Sequence, residues 1–89
     1  MEETALMVVI LNNGTALMTE VEEVPASIPG EPDCKFINPF EIKGDTLVPW
    51  LYDYSDERNV MISSDRVLTL VEPNKTILDK YKTLSLIHI

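Results

Sequence analysis

Histidine, cysteine and glycine are scarce in this 89-residue chain, which carries one His, one Cys and three Gly. With Cys34 alone no intrachain disulfide can form, and a chain this short without a disulfide framework suits a reducing cytoplasm. Positive charge is equally thin. Seven Lys and Arg stand against fifteen Asp and Glu, a formal net charge of −8, the wrong sign for holding nucleic acid by general phosphate neutralisation. Any contact with RNA would have to be local. The apolar run from Ala5 to Leu11 is far too short to span a bilayer. Glu2 and Glu3 stand where a signal peptide would carry basic residues. The expected location is cytoplasmic, with no membrane partner.

The residues that catalysis needs are missing too. The sequence holds no Gly-rich phosphate loop and no zinc-ligand spacing. Its only histidine, His88, lies in "LSLIHI", residues 84–89, which reads as a cloning or library scar and is set apart from fold reasoning. Cys34 has only Lys35 beside it, which does not make a nucleophile. Asp53, Asp56 and Glu57 in "DYSDE" lack the glycine and the ligand spacing of a calcium loop. The expectation is a protein that is not an enzyme, with no cofactor, no metal and no catalytic residue.

What is present is apolar. Hydrophobic residues make up 45% of the chain, yet a domain of this size hides only about 60% of the surface its unfolded form exposes. Part of that apolar surface is expected at contacts between subunits. "TALMVVIL", residues 4–11, reads as a strand buried on both faces. "NG" at Asn13 and Gly14 then sits between two apolar runs and predicts a type I′ hairpin turn. In the second strand, residues 15–24, Leu17, Thr19 and Val21 share a core face, and Met18, Glu20 and Glu22 a wet one.

Prolines 25, 29 and 32 make a loop up to Asp33. A third strand follows over residues 34–42, with Phe36, Asn38, Phe40 and Ile42 on one face and an edge or bulge at Pro39. Residues 43–46 turn the chain into the extended, aromatic "LVPWLYDY". Trp50, Tyr52 and Tyr54 alternate there, and cover for a barrel mouth or a subunit contact is favoured over a surface on which bases stack, because only Arg58 nearby could meet a phosphate. Two short strands, 59–63 and 67–72, are joined as a hairpin across Ser64, Asp65 and Arg66. The period then changes. Asn74 caps a short helix over about 74–84, whose apolar face carries Ile77, Leu78, Tyr81 and Leu84.

"VILNNG", residues 9–14, followed at a distance by "MISSDRVLTLVEP", residues 61–73, resembles the two motifs of the Sm and Sm-like (LSm) proteins. The first family motif is apolar-x-Leu-x-Asn-Gly, here ending in Asn13 and Gly14. The second is Ile-Arg-Gly before an apolar strand often closed by proline, and Ile62, Val67, Leu68, Leu70 and Pro73 fit its frame. The resemblance implies a mainly β domain over residues 1–84: a small, strongly bent, five-stranded Sm-like (SH3-type) barrel with a short C-terminal helix.

The resemblance further implies a closed homo-oligomeric ring of about five to eight subunits. One subunit would lend Asn59, Val60, Met61, Ile62 and Ser63, and the next Val67, Leu68, Thr69, Leu70 and Val71. By the same resemblance, single-stranded RNA would lie at or near the pore against Asp33, Phe36, Asn38 and Arg66. The base-binding pattern departs from the family: Ile-Arg-Gly has become Ile62-Ser63-Ser64, and Arg66 stands two positions beyond. The alternative is a structural or adaptor ring that binds another protein and no RNA.

Overall fold

A computed structural model describes residues 4–87; His88 lies outside them. The chain forms strands β1 (Thr4–Leu11), β2 (Ala16–Glu23), β3 (Cys34–Lys43), β4 (Thr46–Pro49), β5 (Asn59–Ile62) and β6 (Val67–Val71). A single 3-10 turn, Ser64–Arg66, links β5 to β6, and helix α1 (Lys75–Ile87) closes the chain. Every pairing is antiparallel. The strand order is β4-β3-β2-β1-β6, with β5 laid beside β3. The domain is mainly β, with an antiparallel sheet and one C-terminal helix.

The first hairpin departs from the type I′ expectation. Gly14 has φ +91°, but Asn13 is not in the left-handed region. Leu11 O accepts the Gly14 N–H at 2.9 Å and Thr15 O accepts the Leu11 N–H at 2.9 Å. This is the longer hairpin loop, in which an ordinary turn ends on a left-handed glycine. Asn13 serves it differently, its Oδ1 accepting the Thr15 N–H at 3.0 Å. The glycine carries the positive φ and the asparagine supplies an Asx bond.

β3 is two half-strands. Met18 pairs with Phe40 and Glu20 with Ile37, so Thr19 on β2 faces two residues, Asn38 and Pro39, on β3. Asn38 takes φ +54° to accommodate the extra residue. The half before the bulge pairs with β5, and the half after it with β4. One consequence reverses an expectation from simple alternation. Phe36 and Phe40 lie on opposite faces, because the bulge adds one residue to the count between them.

Each face has its own core. On the inner face Val9, Leu11, Leu17 and Phe36 are buried, with Met7, Val21, Cys34, Trp50, Ile62 and Val67 packed around them. On the outer face Met18, Phe40, Leu47 and Tyr81 are buried, joined by Leu6, Val8, Ile42, Ile77, Leu78 and Leu84. The supposed wet side of β2 is therefore covered at Met18, and the cover there is α1. Met18 is fully buried and Glu22 nearly so. Lys35, directly opposite on β3, meets the Glu22 carboxylate at 3.4 Å, which offsets the cost of taking that charge out of water. Asn74 Oδ1 accepts the Ile77 N–H at 2.9 Å and starts the helix as its sequence predicts.

β5 and β6 are not a hairpin. β5 pairs with β3 and β6 with β1, at the two ends of the β1–β2–β3 sheet. Ile62 and Val67 nevertheless pack against the same inner core. The sheet thus curls until its ends converge, while the gap between β5 and β6 stays unpaired.

"LVPWLYDY" is only partly extended. β4 stops at Pro49, and Leu51 at φ +63° begins a turn in which its carbonyl accepts the Tyr54 and Ser55 N–H groups at 3.0 Å each. Trp50 joins the inner core and Tyr52 lies under the Arg58 guanidinium, whose carbon is 4.3 Å from the ring centroid. Tyr54 is 86% exposed. The three aromatics do not share a face.

Candidate functional site

The residues expected at an RNA site begin with Asp33, the last loop residue before β3. Its Oδ1 accepts the Ser64 N–H and its Oδ2 the Ser64 hydroxyl, each at 2.7 Å. Those two bonds, the hydroxyl's first, hold the Asp33 carboxyl below its ordinary value of 3.8. Phe36 is fully buried in the inner core, so its ring offers no face to a base. Asn38 sits in the bulge, donating its N–H to Arg58 O at 2.6 Å while its carbonyl accepts the Tyr81 hydroxyl at 3.1 Å. Arg66 is exposed at the end of the 3-10 turn.

Asp33 and Ser64 are therefore brought together near Arg66, and the other two residues are not. Asp33 and Asn38 are five residues apart on mostly extended chain, roughly 16 Å. Arg58, a second cation that could meet a phosphate, donates instead to the Tyr52 hydroxyl. Cys34 is half-buried, and burial together with the Asp33 and Glu23 carboxylates pushes its thiol up from the usual range. That is the reverse of an activated nucleophile. Among the described residues no group of three His, Cys, Asp or Glu could hold a metal ion. No helix there is long and apolar enough to cross a membrane.

The expected assembly residues form the clearer feature. Among the described residues β5 and β6 each pair on one side only, so each presents an open edge. The β6 edge is apolar: Leu68 is 67% exposed, Val71 49% and Leu70 45%. On β5 Met61 is exposed, and Asn59 beside it. Val60, Ile62, Ser63 and Val67 are half-buried and Thr69 is exposed. A groove of about 680 Å3 opens beside β6, lined by Met7, Val21, Val24, Pro25, Leu70 and Glu23.

Two residues that sequence reasoning passed over matter here. Asn12 donates its N–H to Arg66 O at 2.9 Å and its side-chain amide to Asp65 O at 2.7 Å. Ser64 answers Asp33. No periodicity signals either one, since their partners lie 53 and 31 residues away. Asn12 lies beside the Asn-Gly pair that draws attention to the turn.

The Asp33–Ser64 clamp carries a pH prediction. A carboxylate whose folded pKa is depressed contributes stability that is complete above its unfolded pKa and is lost as pH falls through the folded value. Asp33→Asn is expected to destabilise the protein at pH 7, with a deficit that shrinks steadily as pH is lowered from about 5 to about 2. Urea midpoints of the two proteins across that range measure it, and a pH-independent gap would contradict it.

Fold and edges together define a small β domain with a curled open sheet, a helix-covered outer face and, among the described residues, three strands, β4, β5 and β6, that pair on one side only. The chain belongs to a family of unknown function, DUF6561, whose model matches residues 4–86. That span runs from the start of β1 into α1 and includes the first residues of the segment read as a scar. No curated protein matches the chain.

Proposed function

We propose that this chain is an Sm-like, non-enzymatic assembly module whose copies join into a closed ring by pairing the β5 edge of one with the β6 edge of the next, the ring serving as an adaptor for another protein. The observation that carries this reading is the pair of open edges, one lined by exposed Leu68, Leu70 and Val71. Monomeric proteins shield such edges with charge, proline or bulges; β6 carries no charge and no proline among Val67–Val71, and its one irregularity is the register shift that leaves Leu68 as an extra residue opposite Ile10 and Leu11. Because the two edges are different surfaces, the contact is heterologous, and it must either close a ring or extend without limit. Strand order and the 3-10 link support the Sm-like part of the reading, and the curled sheet would be its incompletely closed barrel.

The RNA reading has less in its favour. It retains Arg66 and the neighbourhood of Asp33, but loses Phe36 to the core, on a chain of net charge −8. An adaptor surface for a protein fits that charge better than a pore for phosphates.

Light scattering on the purified chain tests the proposal. The expected result is one species of several chain masses, reduced to a folded monomer by Leu68→Lys, which puts charge on the open edge at little cost to a position already 67% exposed. A monomeric wild type would sink the proposal. Titration with short U-rich and A-rich RNA at about 50 mM salt, where phosphate contacts are strong, is expected to show no binding. Binding there would return the RNA reading to first place.

A further inference from the structure

We infer that the 3-10 turn is a cross-brace between the two assembly edges, and that Asp33 and Asn12, by holding it, set the angle at which copies meet and hence the number that closes the ring. The inference rests on the edge-pairing reading above and adds a role for residues outside either edge.

Between β5 and β6 no ladder hydrogen bond crosses the gap in the curled sheet. Four other hydrogen bonds bridge that gap, through one short segment. From the β3 side, Asp33 takes both the N–H and the hydroxyl of Ser64, each at 2.7 Å. From the β1 side, Asn12 gives its N–H to Arg66 O and its amide to Asp65 O, at 2.9 and 2.7 Å. Ser63 adds a local cap, its hydroxyl accepting the Asp65 N–H. The turn is thus tied to the strand that carries β5 and to the strand that carries β6.

The angle between those edges is what decides closure. A heterologous contact repeats one fixed rotation, and six-fold and seven-fold rings differ by only roughly 9° per subunit. Adjacent strands already twist by about 20–25°, with a wide spread, so an unbraced sheet has ample softness to cross that margin. A brace of four hydrogen bonds, two of them to a carboxylate, narrows the spread without touching the contact surface.

Native mass spectrometry of the full chain tests this on wild type, Asp33→Ala, Asn12→Ala and the milder Ser64→Ala, which keeps its backbone bond to Asp33. Asp65→Asn is the control, since it removes charge from the same turn and leaves all four bonds in place. Expected for the wild type and the control is a single subunit number. Expected for the brace variants is assembly that persists but shifts or spreads by at least one chain mass of 10.1 kDa, in protein that still melts cooperatively. Folded brace variants that keep the wild-type number as one species would overturn the inference. So would folded variants that fall to monomers, since the brace would then support the contact itself and not its angle. A monomeric wild type removes the edge-pairing reading and this inference together; the first two results remove only the inference.

Discussion

Phe36→Ala is expected to cost about 3–5 kcal/mol of folding stability, a large share of the 5–15 kcal/mol that holds a domain of this kind together. The ring is fully buried and packs with Val9, Leu11 and Leu17 on the inner face. Cross-strand neighbours Val21 and Val60 flank it. Removing it leaves a cavity at the place where three strands meet, and the sheet cannot collapse to fill it without breaking its ladders. A urea titration should show the midpoint falling by more than about 1 M, with Phe36→Leu recovering most of the loss. If Phe36→Ala instead stays as stable as the wild type and loses an RNA ligand, Phe36 is a contact residue and the core assignment is wrong.

The reason Phe36 can be mistaken for a contact residue is also the reason that part of the fold is hidden in the sequence. Signals confined to a few neighbouring residues were legible: the apolar strand 4–11, the proline loop and the Asn74 cap all fall where local chemistry puts them. Signals that depend on a partner were not. Alternation puts Phe36 and Phe40 on one face, and only the bulge, made by Asn38 against Thr19, separates them. Met18 reads as wetted because nothing in β2 announces a helix that begins at Lys75, and Glu22 because nothing in β2 announces Lys35 opposite it. The four residues between Ile62 and Val67 suit a hairpin as well as they suit a 3-10 link between strands paired elsewhere.

The candidate site divides along the same line. The apolar character of the β6 edge is visible in "VLTLV" itself; its openness is not, since that depends on β6 pairing with β1 and not with β5. The brace is invisible, because Asp33 and Ser64 gain meaning only when β3 and the 3-10 turn are side by side. What survives of the expected RNA group at that corner is one exposed arginine next to a carboxylate engaged in structure.

Tyr81 carries the other large effect, and its two components are separable. The ring packs edge-on to Phe40, centroids 5.7 Å apart at 87°, inside the outer core. Its hydroxyl donates to Ile37 O and Asn38 O at 3.1 Å each, the carbonyls exposed by the β3 bulge. Tyr81→Ala loses both parts and is expected to cost about 3–5 kcal/mol. Tyr81→Phe keeps the ring and is expected to cost only about 1 kcal/mol, because Ile37 O retains the Thr19 hydroxyl, 3.1 Å away on the opposite face. That shared carbonyl makes a sharper statement. Thr19→Val removes the other donor, so the double variant Thr19→Val/Tyr81→Phe leaves Ile37 O without either side-chain donor and should cost more than the two single changes added together, by about 0.5–1 kcal/mol. Urea denaturation of the four proteins measures the cycle. Strict additivity, or a Tyr81→Phe loss as large as that of Tyr81→Ala, would mean that the hydroxyls do not hold the bulge jointly, and that the kink in β3 is set by the backbone of Asn38 and Pro39 alone.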